Sequence, residues 1–280
     1  FLPFAAIFYA AILFIWGYFA PAILKPNLSH RVGAYGHTYS RLSEVKNYPE
    51  VDILFVGSSH TYRGFDTRIF KDSGYRSFNL GTRAQTPTQT KVLLNRYLEK
   101  LKPKVVIYEV YPPTFAIDGV ESSLDLIAND KNDFNSVKMA LRINNIKTYN
   151  TLIYGILFDF FKLNNFYNEP KIKEDDTYIS GGFVEKKLAF YELSEFEKRE
   201  FVANQYQLES FSEIVKNLRS KNIDLILIYA PIPKVNYDSY NNTPYFDNLM
   251  KSYSKYFNFN DILPLDDSTH FYDSHHLNQN

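Results

Sequence analysis

The chain opens with an uninterrupted apolar stretch. Residues 1–24 contain no charged side chain, and about 20 apolar residues suffice for a helix to cross the hydrocarbon core of a bilayer. Trp16 and Tyr18 are types that favour the membrane interface, and Lys25 marks the return to water. A cleaved signal peptide and a buried core helix are the alternatives. Length and uniform apolarity favour one continuous transmembrane helix over 1–24, followed by a connector over 25–50.

Short apolar runs then alternate with helical patterns. Buried strands are predicted where apolar runs end at polar or turn residues, over 51–56, 77–80, 104–110 and 224–229. Helices are predicted where apolar residues recur at helical spacing, over 88–101, 193–221 and 244–257. Strands that alternate with helices indicate an α/β fold, with a parallel sheet covered on both faces.

One segment departs from this alternation. Residues from about 118 to 190 are rich in Asn, Asp and Lys, around an apolar run at 152–163. We predict a largely helical insertion or lid within a single catalytic domain over 51–280.

Composition narrows the classes of function. Lys and Arg number 31, as do Asp and Glu, so the formal charge is zero and nothing favours nucleic acid as a partner. The chain has no cysteine, which excludes disulfides, thiolate nucleophiles and thiolate metal sites. The 17% aromatic content is expected first to serve packing, with a carbohydrate-stacking surface as the alternative.

Candidate catalytic residues follow the predicted strands, whose carboxyl ends gather sites in parallel sheets. A Gly-Ser-Ser sequence ending at Ser59 follows the first strand, Gly81 follows the second, and Asp273 precedes His276 by three residues. A serine nucleophile needs a base within hydrogen-bond reach, and the base needs an orienting partner. One turn of chain can fold the carboxylate back to Nδ1 and leave Nε2 facing the serine. The sequence therefore predicts a triad of Ser59, Asp273 and His276.

These motifs resemble a known superfamily. DILFVGSSHTYRGFD, FNLGT and FYDSHHLN resemble the first, second and fifth blocks of the SGNH/GDSL hydrolases, and the resemblance covers roughly 52–115 and 222–280. It is closest to the membrane-anchored branch that includes the D-alanyl-transfer protein of teichoic acid synthesis and alginate or peptidoglycan O-acetylation proteins. The resemblance implies a flavodoxin-like three-layer α/β/α sandwich and acyl-ester chemistry without a cofactor.

The resemblance also assigns roles residue by residue. It implies that Ser59 is the nucleophile, His276 the base and Asp273 its orienting partner. The backbone amides of Ser59 and Gly81 match two donors to the oxyanion of a tetrahedral intermediate.

The chain departs from the family in two places. Ser58 stands where an Asp usually precedes the nucleophile, as also occurs in the anchored branch. The third block normally supplies an Asn donor, but Glu109 begins the corresponding sequence here. We expect Glu109 to tie down a loop. A third oxyanion donor is expected from Arg83, Gln85 or Tyr111, with loop solvation an equal alternative for Gln85.

Other candidates have two interpretations. His60 either contacts substrate or stabilises the turn after the nucleophile. Arg63 and Arg83 either bind an anionic substrate group or pair with Asp66 and Asp118. His270 and His275 lie close to Asp residues, but their spacing fits no zinc pattern, so no metal site is predicted.

Two functions from different classes fit these expectations. The first is an esterase or O-acyltransferase on an extracytoplasmic cell-envelope glycan or acylated polymer, anchored by one helix in the bacterial inner membrane and facing the periplasm. The resemblance adds a membrane-bound O-acyltransferase as a possible partner. The second is a catalytically inert, anchored assembly or glycan-binding protein, which the missing third-block Asn favours. An activated serine would separate the two.

Overall fold

The computed structural model describes residues 1–192 and 194–279, apart from the side chain of Asn165. Its strands are β1 (Ile53–Val56), β2 (Ser77–Asn79), β3 (Val105–Glu109), β4 (Ile172–Lys173), β5 (Asp176–Ile179), β6 (Phe183–Lys186), β7 (Asp224–Tyr229) and β8 (Lys255–Asn258). A central sheet has the order β2-β1-β3-β7-β8, and every neighbouring pair is parallel. This is the flavodoxin-like order, in which a topological switch point lies between the first and third strands.

Helices flank this sheet. They are α1 (Leu2–Phe19), α2 (Thr38–Glu44), α3 (Ser59–Gly64), α4 (Thr67–Asp72), α5 (Pro87–Leu101), α6 (Pro112–Ala116), α7 (Val120–Asn129), α8 (Phe134–Ile143), α9 (Ile146–Phe160), α10 (Gln205–Ser220), α11 (Lys234–Tyr237), α12 (Thr243–Tyr253) and α13 (Phe259–Ile262). The predicted α/β class and parallel sheet are confirmed.

The core follows from strand periodicity. Alternate strand residues such as Leu54, Tyr108 and Leu227 are fully buried and join one hydrophobic cluster with Leu93 of α5 and Phe211 of α10. Successive strand side chains point to opposite faces of a sheet. The intervening residues therefore meet the other layer, as where the Phe55 and Phe65 rings stack at 4.7 Å.

The local sequence fixes where the long helices begin. Thr86 caps α5 through a capping box with Gln89, and Pro87 occupies the first turn, where its missing N–H costs nothing. Lys102 ends this helix in the left-handed conformation. Asn204 caps α10 by accepting a hydrogen bond from the amide of Tyr206.

The segment over 118–190 is helical only in its first part. Helices α7, α8 and α9 place Leu126, Met139 and Leu152 in the central core. Strands β4, β5 and β6 then form a separate antiparallel sheet that the sequence interpretation missed. The strand Asp176–Ile179 is half-buried along its length and carries no apolar run, so its pattern gives little signal.

Two predicted helices have different limits. The helix expected over 193–221 begins only at Gln205, and Leu193 lies outside the described residues. The helix expected over 244–257 ends at Tyr253, where Ser254 becomes extended and leads into β8. The fifth strand of the central sheet was therefore mistaken for the end of a helix.

The N-terminal helix is shorter than expected. Helix α1 ends at Phe19, and a separate 3₁₀ turn covers Ala22–Leu24. Pro21 explains the break, because a proline disfavours helical conformation in the residue before it. The helix has a mean hydropathy of 1.9 and is largely exposed, so it is long and apolar enough to cross a membrane.

Helix α1 rests on the globular part from Tyr9 onward. Leu13 packs beside Tyr154 of α9, and Tyr9 Oη donates to Asn150 Oδ1 at 2.6 Å. A Cβ at Gly17 would collide with the Tyr154 ring, so a glycine allows the two helices to approach. The helix projects freely only through its first turns.

The connector over 25–50 also joins the domain. It contains α2, whose Arg41 is fully buried and donates through Nε to the carbonyl of Gly182 at 2.9 Å. Leu42 and Val45 belong to the central core. The connector is therefore packed structure and not a free linker.

Candidate active site

A tight turn after β1 presents Ser59. Gly57 has a φ of 141°, and a Cβ there would lie 2.7 Å from the carbonyl oxygen of Glu109. Ser58 caps α3 by accepting from the amide of His60 at 3.3 Å. Ser59 thus becomes the first residue of α3, above the switch point between β1 and β3.

Three residues from opposite ends of the chain meet at this turn. Ser59 Oγ lies 2.8 Å from His276 Nε2. His276 Nδ1 lies 2.9 Å from Asp273 Oδ2, and Asp273 Oδ1 accepts from the amides of His275 and His276 at 2.9 and 2.8 Å. The structure therefore brings together the predicted nucleophile, base and orienting carboxylate in the geometry that nucleophilic catalysis requires.

The electrostatics suit a neutral base beside a charged carboxylate. Burial lowers the pKa of His276, and the hydrogen bond and charge of Asp273 only partly oppose this. For Asp273, burial alone would raise the pKa. The hydrogen bond and charge of His276, and the charge of His275, outweigh burial and hold the Asp273 pKa well below its usual range. His276 is thus free to accept a proton from Ser59 at neutral pH.

Of the two predicted backbone donors, one is already occupied. The amide of Ser59 is the first of α3, a position without an intrahelical acceptor. The amide of Gly81 instead donates to Asn79 Oδ1 at 3.0 Å, so it is not a free oxyanion donor. Gly81 is needed for another reason, because a Cβ there would lie 2.8 Å from the carbonyl oxygen of Ser58.

Glu109 lies beneath the turn and does not line the cleft beside Ser59. Its Oε2 accepts from the amide of Ser58 at 3.0 Å and lies 2.7 Å from Ser58 Oγ. Burial raises its pKa to about 7, although the hydrogen bonds from Ser58 act in the opposite direction. Glu109 therefore ties down the loop, as expected, and presents no carboxylate to a developing oxyanion.

A cleft of about 540 Å³ opens beside Ser59 and His276. Its walls carry tyrosines and charged side chains of both signs: Tyr35, Tyr62, Tyr111, Tyr272, Arg63, Arg83, Asp176 and Lys186. Such a lining offers aromatic faces and hydrogen-bond donors to a polar substrate.

Three of the predicted substrate-binding residues reach this cleft. Tyr111 lines it directly, with its ring 4.3 Å from that of His60. Arg63 forms a bidentate pair with Asp176 at 2.9 and 2.8 Å. Arg83 pairs with Glu121 at 2.8 Å and also borders the cleft. Both arginines are thus paired with carboxylates, but not with the expected Asp66 and Asp118; Asp66 pairs with Arg68 instead.

The other two do not face the cleft. Gln85 is buried, accepting from Thr82 Oγ1 and donating to Thr90 Oγ1, both at 2.9 Å. His60 is also buried, with Nδ1 3.0 Å from Ser58 Oγ and Nε2 2.6 Å from the carbonyl oxygen of His275. Gln85 is therefore no candidate for a third donor, and His60 stabilises the turn.

Several cleft residues escaped the sequence interpretation. Asp176 and Lys186 arrive on β5 and β6, and Tyr272 arrives on the C-terminal loop. Tyr62, another residue of the cleft wall, could have been found from the sequence. It follows Ser59 by three residues and therefore lies on the same face of α3.

Asp273, His275 and His276 could together hold a metal ion. One ligand atom from each lies within 4.8 Å of the others. However, Asp273 already bonds His276 Nδ1 and two backbone amides. A metal bound through His276 Nδ1 would have to replace the bond that orients His276.

Comparisons with known proteins give only remote likenesses. No protein-family model matches the chain, and no curated protein matches it. A Bacteroides fragilis structure, provisionally named an acylhydrolase, shares 11% identity and a TM-score of 0.43 over 88% of this chain and 89% of its own. A GDSL-like lipase from Bacteroides thetaiotaomicron shares 10% identity and a TM-score of 0.40, over 87% and 90%. A Streptococcus pneumonia protein, provisionally named a platelet activating factor, shares 10% and 0.42, over 86% and 83%.

Proposed function

We propose that this chain is a serine-dependent esterase or O-acyltransferase that works through an acyl-enzyme. One observation carries the proposal: Ser59 Oγ lies 2.8 Å from His276 Nε2, while Asp273 holds Nδ1 of the same ring at 2.9 Å.

The reaction follows from these contacts. Ser59 Oγ attacks the carbonyl carbon of an ester, and its proton passes to His276 Nε2. Asp273 stabilises the imidazolium, while the Ser59 amide donates to the oxyanion. His276 then returns the proton to the leaving alkoxide, which departs and leaves an ester on Ser59. Water or a sugar hydroxyl, deprotonated by His276, releases the acyl group by the reverse sequence.

We propose a cell-envelope glycan or acylated polymer as substrate. The open cleft of about 540 Å³ and its four tyrosines support this, because aromatic faces suit sugar rings and phenol hydroxyls suit their substituents. The sequence resemblance supports the same class.

We further propose that α1 anchors the chain in the bacterial inner membrane, with the cleft on the extracytoplasmic side. The length and apolarity of α1 support a membrane span. A membrane-bound O-acyltransferase partner rests on the sequence resemblance alone.

A fluorophosphonate probe tests the proposal, because only an activated serine reacts with it. The full chain should be labelled, Ser59→Ala should not, and the exposed Ser73→Ala should match the wild type. Absence of labelling in the folded wild type would overturn the proposal of a serine-dependent enzyme and favour the inert glycan-binding alternative. Release of an acyl group from Ser59, with and without glycan acceptors, would then separate transfer from hydrolysis.

A further inference from the structure

A line of hydrogen bonds runs behind the triad. Glu109 Oε2 lies 2.7 Å from Ser58 Oγ, which lies 3.0 Å from His60 Nδ1. His60 Nε2 lies 2.6 Å from the carbonyl oxygen of His275. Glu109, Ser58 and His60 are each at most 4% exposed.

Counting protons along this line gives its charge. A carbonyl oxygen only accepts, so His60 Nε2 must carry a proton. The contact between Glu109 and Ser58 Oγ needs one proton, and so does the contact between Ser58 Oγ and His60 Nδ1. The Ser58 hydroxyl supplies only one of these two protons. The third proton must lie on Glu109 or on His60 Nδ1. Glu109 and His60 therefore share one proton, and the line as a whole is uncharged.

The surroundings decide where this proton lies. Burial is the largest influence on both groups: it lowers the pKa of His60 well below its usual value and raises that of Glu109 to about 7. Around His60, the charges of His276 and His275 lower its pKa, while Asp273 opposes them. The Tyr111 ring packs 4.3 Å from the imidazole, and the pKa of its phenol is also raised by burial. Below about pH 7, Glu109 therefore carries the proton.

We propose that Glu109, Ser58 and His60 are positioning residues for the triad, linked by one proton held on Glu109. The protonated carboxyl donates to Ser58, Ser58 donates to His60, and His60 donates to the peptide carbonyl of His275. That carbonyl belongs to the loop that carries Asp273 and His276. The line thus connects the end of β3 to the catalytic base.

Loss of the shared proton breaks this connection. With Glu109 ionised, Ser58 must donate to the carboxylate, and a neutral His60 has one proton for two contacts. Either the contact between Ser58 Oγ and His60 Nδ1 or the contact between His60 Nε2 and the His275 carbonyl is left without a proton. The consequence for catalysis rests on the proposed function, whereas the protonation state of Glu109 does not.

Infrared spectroscopy tests the protonation state without any assay of activity. The full chain below about pH 6 should show the C=O band of a buried carboxylic acid, which fades as pH rises through about 7. Difference spectra should assign this band through its loss in Glu109→Gln. Glu169→Gln, at another buried glutamate, is the matched control and should keep the band. A folded wild type without a band assignable to Glu109 would overturn the proposal.

Labelling kinetics test the positioning role. In Glu109→Gln, an amide oxygen beside Ser58 could not donate to the Ser58 hydroxyl, and an amide nitrogen there could not accept from the Ser58 backbone N–H. One contact is therefore lost at every pH. We expect Glu109→Gln to react roughly five- to tenfold more slowly with a fluorophosphonate at low pH, and to lack the wild-type decline above about pH 7. Probe affinity should change little, because Glu109 does not line the cleft.

The outcomes separate this proposal from the proposed function. Glu109→Gln labelled at the wild-type rate across the pH range would overturn the positioning role and leave the triad intact. Failure of the wild type itself to react would overturn the proposed function. The infrared band would then still decide where the shared proton lies.

Discussion

A methyl group at Gly81 should disable the nucleophile turn. In Gly81→Ala, the new Cβ would lie 2.8 Å from the carbonyl oxygen of Ser58 and 3.1 Å from the amide nitrogen of Tyr62. Both are backbone atoms of the turn that carries Ser59, so neither can rotate away as a side chain would.

The distances set the size of the effect. Ordinary contacts begin at about 3.4 Å, so the turn or the end of β2 must shift by about 0.6 Å. Overpacking of this kind costs about 1–3 kcal/mol of stability. Misplacement of a reacting group by about 1 Å can cost about 10²-fold in rate, so we expect labelling of Ser59 to slow by roughly tenfold or more.

The assay compares fluorophosphonate labelling rates and urea unfolding of Gly81→Ala with those of Gly64→Ala. Gly64 ends the same helix, and a Cβ there meets nothing within 4 Å. This control should label at the wild-type rate and unfold at an equal or slightly higher urea concentration. If Gly81→Ala labels as fast as Gly64→Ala, the close approach of β2 to the turn does not position Ser59.

Three further outcomes follow from the site. Asp273→Asn should lower the labelling rate by about 10⁴-fold while preserving the fold, because an amide favours the wrong His276 tautomer. A loss of labelling rate below tenfold would contradict the orienting role of Asp273. The labelling rate should fall at acid pH with a midpoint below the ordinary histidine pKa of 6.5, because burial lowers the pKa of His276 and protonation removes the base. A midpoint above 6.5 would contradict the lowering of the His276 pKa by burial. A chelator should leave labelling unchanged, since the proposed reaction uses no metal and a metal on His276 Nδ1 would displace Asp273. Loss of labelling that a divalent metal restores would point to a metal site that includes His275.

The strands that are buried on both faces could be predicted from the sequence. Residues 53–56, 105–109 and 224–229 lie in the middle of the sheet and carry continuous apolar runs. By contrast, β8 is an edge strand with mostly half-exposed residues, and its sequence continues the helical pattern before it. An exposed edge strand therefore escapes a method that depends on burial, whereas the other edge strand, β2, is buried and was predicted.

The same division applies to the site. Recognisable local motifs contain Ser59, Asp273 and His276, so the sequence alone identifies these residues as catalytic candidates. The cleft walls depend on which loops the fold places side by side. Lys186 of a peripheral strand faces the cleft, whereas Gln85, close to the nucleophile along the chain, turns into the interior. Sequence proximity indicates chemistry here but does not indicate which side chains line the cleft.

The separation of 217 residues between Ser59 and His276 has a consequence for biogenesis. Synthesis is vectorial, so Ser59 leaves the ribosome long before its base exists. Until the C-terminal loop with His276 has reached the turn after β1, the serine remains an ordinary alcohol that cannot attack the esters it meets in transit. Contacts between such distant parts of a chain form late in folding, because closing a long loop costs entropy first. The reactivity of Ser59 should therefore appear only once the domain is complete. The time at which this reactivity appears would report when the protein has finished folding.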